Sequence, residues 1–291
     1  MTMAFRNTMK TAVLLAAIGG LLVLVGSALG GTGGAVIGLG LGLVIVGGSY
    51  WFSDRIAVRA AGACEVSIAE APRLHATVAE LAERAGLPKP RVYVSPSAQP
   101  NAFATGRNPR HAAVAVTEGL LTQCPPEEVR GVLAHELAHI RNRDILIGSV
   151  AAAVATGISF IANMALFAGM FGGGDDEDGP SPAVAILMAL LAPMAASVLQ
   201  MALSRSREFE ADRVGAMIAG DPEPLARALE RLDRVARVTP FDVTPAQASA
   251  YIVNPLTGRT VSFARLFLTH PPVEERVERL RAMVDRIPQV G

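Results

Sequence analysis

The sequence predicts a mainly helical membrane protein, with four transmembrane helices in two hairpins and a cytosolic domain that holds a small β-sheet and a metal site. Three observations lead there. Of the 291 residues 51% are hydrophobic and only 18% charged, with a mean hydropathy of +0.38. The excess lies in four charge-free blocks, residues 11–30, 35–52, 145–171 and 183–203, each long enough to cross a hydrocarbon core of about 30 Å. Between and after the two close pairs the chain turns polar and amphipathic, and a His-Glu-x-x-His motif stands in the first polar part.

The first block follows Lys10 and has Ala28 near its end, features a cleaved signal peptide also shows. A second apolar block begins almost at once, so a retained hairpin turning at residues 30–34 is the expectation. Gly34, Gly38 and Gly42 recur every four residues, a spacing that lets helix backbones approach closely. Packing within the chain is favoured over dimerisation, and no phosphate loop is formed because its lysine is missing. Orientation follows from lysine and arginine. Arg6, Lys10, Arg55, Arg59, Arg141, Arg143, Arg205 and Arg207 flank the blocks on one side, whereas the connecting loops carry no basic residue and the second holds Asp175, Asp176, Glu177 and Asp178. Both termini and the chemistry-bearing segments are therefore expected in the cytosol. The predicted division is 1–52 (first hairpin), 53–144 (catalytic part), 145–203 (second hairpin) and 204–291 (C-terminal part).

From residue 53 the patterning changes. Residues 66–84 read as an amphipathic helix closed by Gly86. Residues 91–95, 101–106 and 111–117 alternate as strands, the last two joined by a turn at 107–110. Residues 131–144 and the residues before them then read as a helix, with Pro125 and Pro126 as its first turn, Glu127 and Glu128 at its positive end, and Val129, Leu133, Leu137 and Ile140 as its apolar stripe. Residues four apart share a helical face, so His135 and His139 can direct two imidazoles at one ion. Two neutral nitrogens suit zinc, and Glu136 is placed to take a proton from an attacking water. That is the arrangement of a zincin-like metalloprotease domain.

The third block begins six residues after His139, about 9 Å along an unbroken helix, which predicts a metal just beneath the membrane. After the fourth block, Glu208 and Asp212 stand four apart on one face, Glu208 as the third ligand and Asp212 as acceptor for a ligand histidine's ring N–H. Residues 101–105 (Asn101, Ala102, Phe103, Ala104 and Thr105) are the expected sheet edge on which a substrate could add as a strand. Residues 222–237 are amphipathic, and 239–259, with three prolines, are expected to loop over the cleft. His270 sits at a proline-marked helix start with Arg276 beyond it. By sequence alone a cap and an ion pair suit them better than oxyanion stabilisation. His75 and His111 are isolated, and neither Cys64 nor Cys124 lies in a CxxC pair. A formal net charge of zero with no basic-aromatic cluster gives no argument for nucleic acid.

Taken together, NAFATG at Asn101, VTEGLL at Val116, AHELAHIRNRD at Ala134, SREFEAD at Ser206 and THPPVEER at Thr269 resemble the HtpX family of bacterial membrane zinc metalloproteases, with the CAAX prenyl proteases as more distant relatives. The resemblance covers nearly the whole chain. It implies one zinc ion per chain on His135, His139 and Glu208, Glu136 as general base, Asp212 behind a ligand, and His270 and Arg276 acting at the transition state. It also implies cleavage of misfolded or damaged membrane proteins at the cytoplasmic face of the inner membrane under stress. Three alternatives predict otherwise. A prenyl-protein protease would prefer a lipidated peptide, an intramembrane protease would set the HExxH helix in lipid despite its flanking charges, and a scaffold or transporter would bind no zinc.

Overall fold

A computed structural model describes residues 3–145, 205–238, 252–253 and 271–284. Helix α1 (Met3–Trp51) has helical backbone throughout, interrupted where Gly31 takes φ 57°, a left-handed conformation that costs a residue with a Cβ but not glycine. There the chain turns back. Gly38 lies against the backbone of Leu22 and Gly42 against Gly19, although sixteen residues of straight helix would separate the first pair by about 24 Å. The predicted hairpin and its intramolecular glycine packing are thus present. Among the described residues no helix is long and apolar enough to cross a membrane. The second predicted hairpin lies, apart from Ile145, outside the described residues.

Helix α2 (Ser53–Ala60) leads into a four-stranded sheet of β1 (Cys64–Glu65), β2 (Arg91–Ser95), β3 (Ala102–Gly106) and β4 (Ala112–Thr117), ordered β1-β2-β4-β3. The β2–β4 pairing is parallel and the other two are antiparallel. Its β4 is buried along its whole length because it runs between neighbours, while β3 is an edge, as the sequence predicts for residues 101–105. Helix α3 (Pro72–Ala85) starts later than the sequence suggests, because Ser67 and Glu70 exchange backbone-to-side-chain hydrogen bonds and hold residues 67–70 in a turn. Thr117 caps α4 (Glu118–Gln123) by accepting from Leu120 N–H.

Helix α5 (Pro126–Asn142) is the centre of the molecule. It packs on the sheet, on α3, on α6 (Arg205–Ala219) and on α7 (Glu223–Val238), and α8 (Val273–Arg281) closes over α6 and α7. Leu133, Leu137 and Ile140 of its stripe are fully buried, as are Leu225, Ala226 and Leu229 on α7. One core therefore joins segments from both sides of residues 146–204. The expected continuation of α5 toward the third block does not occur. The helix stops at Asn142, where Arg143 takes the left-handed conformation (φ 56°) and the N–H groups of Arg143 and Asp144 turn back onto the carbonyls of Ile140 and His139.

Candidate metal centre

The site begins with the way α5 and α6 approach. A Cβ built on Gly215 would stand 2.9 Å from the backbone of His135, so only glycine lets the two helices come this close. Glu208, two turns earlier on α6, is thereby brought over the same histidine. The Nε2 atoms of His135 and His139 are 3.1 Å apart, and the Glu208 carboxylate lies 3.7 Å from one and 3.8 Å from the other. One ligand atom from each residue falls within 4.8 Å of the others. The three positions chosen from sequence spacing thus converge from two helices separated in sequence by residues 143–204.

Behind each ring stands a carboxylate. Asp212 Oδ1 is 2.9 Å from His135 Nδ1, approaching obliquely to the ring's N–H direction, so the contact is electrostatic rather than a straight hydrogen bond. Asp144 holds His139 Nδ1 with both oxygens at 3.1 Å. Such partners fix the ring tautomer and leave Nε2 for a metal. The sequence reading assigns no role to Asp144. On a continuous helix it would lie about 140° around the axis from His139, and only the left-handed turn at Arg143 folds it back. The signal that could have found it is a carboxylate just past the end of a ligand helix.

Arg276 is fully buried. Its Nε and Nη2 donate to Asp212 at 2.8 and 2.7 Å, and its Nη1 donates to the Ile252 carbonyl at 2.8 Å. The guanidinium is thus bound on three of its donors, and its Nη2 also lies 3.9 Å from the Glu208 carboxylate. It holds Asp212, which faces His135, and Ile252, whose N–H is received by Asn101 Oδ1. Ile252 and Val253 are buried in the core beside β3; the rest of 239–259 lies outside the described residues, and so does His270. His75 and His111 are engaged locally, with the Val66 carbonyl and the Asn108 side chain.

Glu136 points from α5 toward the sheet, where its Oε2 accepts the Ala104 N–H at 2.7 Å. Because β3 bonds to β4 through Asn101, Phe103 and Thr105, the backbone groups of Ala102 and Ala104 face away from the sheet toward α5. Burial raises the Glu136 carboxyl above its ordinary range, with the two histidines pulling the other way. Burial also works against ionisation of Asp212, yet Arg276 and His135 outweigh it and hold that carboxyl low. For His139, burial disfavours the charged ring, but Asp144, Glu208 and Glu136 outweigh it and lift the pKa to about 10. Four buried carboxylates (Glu136, Asp144, Glu208, Asp212) thus stand around the two imidazoles, and of these the Arg276 guanidinium pairs most closely with Asp212. Such a cluster needs further positive charge, and two imidazoles with one carboxylate suit a small divalent ion.

Residues 69–284 match Peptidase family M48. The chain belongs to that family. It is 51% identical over 284 residues to a protein named Protease HtpX homolog from Pelotomaculum thermopropionicum, covering 95% of this chain and 99% of that one. Proteins of the same name from Persephonella marina (48%, covering 98% and 100%) and Ralstonia nicotianae (51%, covering 95% and 96%) are similarly related. Among solved structures, the crystal structure of S. mikatae Ste24p matches with a TM-score of 0.51 at 20% identity, covering 96% of this chain and 66% of that one. That likeness concerns the fold. As a member of family M48 the chain is a metallopeptidase, and His135, His139 and Glu208 form its candidate metal group.

Proposed function

We propose that this chain is an integral membrane zinc endopeptidase that cuts misfolded or damaged membrane proteins at the cytoplasmic face of a bacterial inner membrane. The observation that carries the reading is the meeting of His135, His139 and Glu208 beside Glu136 and the edge strand β3. When bound to the two imidazoles and the carboxylate, zinc supplies a Lewis acid and makes water acidic near neutral pH. The chain's own residues do the remainder. A substrate segment adds along the β3 edge, taking over the Ala104 N–H that Glu136 holds in its absence, and such backbone pairing recognises any extended peptide without regard to side chains. Glu136 takes a proton from the attacking water and returns it to the leaving amine. Asp212 and Asp144 hold the two rings, and Arg276 holds Asp212. Arg276 is therefore a positioning residue, and His270 is proposed to steady the oxyanion.

The membrane assignment is supported by the four charge-free blocks and by the surface of the α1 hairpin, where Val36, Ile37, Leu43 and Val44 are 65–71% exposed. Apolar exposure on that scale suits lipid rather than water. The distribution of lysine and arginine supports a cytoplasmic site and cytoplasmic termini.

The test compares membranes carrying the parent chain and Glu136→Gln. The variant should retain its metal and lose hydrolysis by about 10²–10⁴-fold, and its substrates should accumulate as intact membrane proteins. Cleavage at the parent rate would remove Glu136 from the mechanism. Accumulation of lipidated C-terminal peptides instead would favour prenyl-protein processing, and metal-free purified protein would favour a scaffold.

A further inference from the structure

We propose that the pocket at the Trp51 end of α1, walled by Arg55, Arg107 and Arg110 and continued into an apolar slot beside Leu15 and Tyr50, binds the phosphate headgroup and one acyl chain of an anionic phospholipid. The assignment rests on the membrane reading above but does not follow from it.

Three cavities surround the short turn between β3 and β4. One of about 420 Å³ lies between Trp51, Phe52, Arg55, Arg107 and Arg110. A second, of about 320 Å³, runs beside Ala12, Leu15, Tyr50 and Ile145 and shares Arg107 with the first. The third, of about 800 Å³, shares Arg110 with the first and Arg143 with the second. A single turn thus presents a basic mouth and an apolar slot side by side, the two chemistries of a phospholipid.

The arginines here are available. Arg107 lies over the Trp51 indole at 4.8 Å and donates to the Trp51 carbonyl at 3.3 Å, and Arg55 lies over Phe52 at 5.7 Å. Neither contact consumes a charge. Arg110 and Arg143 are exposed, and among the described residues none of these four arginines forms an ion pair. By contrast, Arg91 in the same pocket is held by Asp54, and the arginines of α7 and α8 that face acids are paired with them. In a chain of zero formal net charge, this concentration of unpaired cations at the foot of an apolar hairpin calls for an anion from outside. Trp51 and Phe52 are 58% and 49% exposed, and aromatic rings of that kind settle at the headgroup level. An anionic lipid of the adjoining leaflet meets every one of these demands at once.

Trp51 is the chain's single tryptophan, so its fluorescence reports directly on the pocket. The experiment uses the full chain in bilayer discs of neutral phosphatidylcholine that carry a minor fraction of brominated phosphatidylglycerol or, separately, brominated phosphatidylcholine. Quenching by the anionic brominated lipid should exceed its mole fraction, and Arg110→Gln should reduce the preference by about fivefold. Arg107→Gln with Arg110→Gln should abolish it. Bound metal, measured on the same samples, reports whether each variant is folded. Equal quenching by both lipids would overturn the headgroup site while leaving the membrane reading intact. Quenching by neither would place Trp51 outside the bilayer and overturn the membrane reading itself. If inorganic phosphate at fixed ionic strength erases the preference, the ligand is a free anion and the lipid assignment falls.

Discussion

Two regions of this molecule treat charge in opposite ways. At the metal centre, Arg276 is enclosed, and its guanidinium is divided between Asp212 and a backbone carbonyl. Each ring nitrogen that does not face the centre of the site has a carboxylate behind it. Around the β3–β4 turn, Arg107, Arg110 and Arg143 stand at cavity mouths, and among the described residues none of them is in an ion pair with an acid. Buried charges must be matched inside the protein, since desolvation is too costly otherwise. Exposed ones can wait for a partner from solution or membrane. The first region is accordingly complete but for one small cation, whereas the second has exposed cations that a surface of opposite charge could match.

The largest expected effect that tests this contrast is at Arg276. Removing it by Arg276→Ala leaves Asp212 buried without its counter-charge and should cost about 3–5 kcal/mol of stability, read as a fall in thermal midpoint. Arg276→Lys should recover only part, because an ammonium cannot make the same two-pronged contact. If Ala and Lys behave alike, the bidentate pair is not what holds the site.

Next comes Asp144. Asp144→Asn keeps the shape but removes the charge behind His139, and metal affinity should weaken by about 10–100-fold with the fold retained. A chelator competition measures it. An unchanged affinity would return Asp144 to a merely local role at the helix end.

The pH dependence follows from the lifted pKa of His139. The metal-free ring is held protonated by Asp144, Glu208 and Glu136 up to about pH 10, against an ordinary value of 6.5. Its stabilising contribution to the metal-free fold is therefore fully present below pH 6.5 and lost as pH rises through about 10. An entering metal must expel that proton. Affinity should then climb about tenfold per pH unit across this window, and a flat titration would show that the proton is not held.

The smallest effect belongs to the other region. Arg110→Gln should change stability by no more than about 0.5 kcal/mol and leave metal content untouched, because the side chain is exposed and, among the described residues, forms no ion pair. A loss comparable to that of Arg276→Ala would erase the distinction between the two regions.

Much of this was legible in advance, for reasons particular to each element. Residues 91–95 read as a strand because alternation has a short period and needs no distant partner. His135 and His139 could be paired because helical spacing alone puts them on one face. Glu208 was reachable because its spacing from Asp212 repeats that logic on a second helix. Asp144 was hidden because its position depends on one backbone residue leaving the helical region. The place of Arg276 was hidden because both carboxylates near it, Asp212 and Glu208, come from another element. The unpaired arginines could be counted but not recognised as one group, since Trp51, Arg107 and Arg143 are far apart in the chain.

By itself, then, the sequence determined what local periodicity can encode: which segments are helix, strand or apolar hairpin, and which side chains share one face of one element. The tertiary structure alone decided which faces meet. It set α6 against α5 through Gly215, folded Asp144 back on His139, turned Arg276 inward, and gathered arginines from three segments around one turn. The physical reason is that contacts across elements depend on backbone approach and on the matching of buried charge, and neither quantity is written in the spacing of residues along a chain.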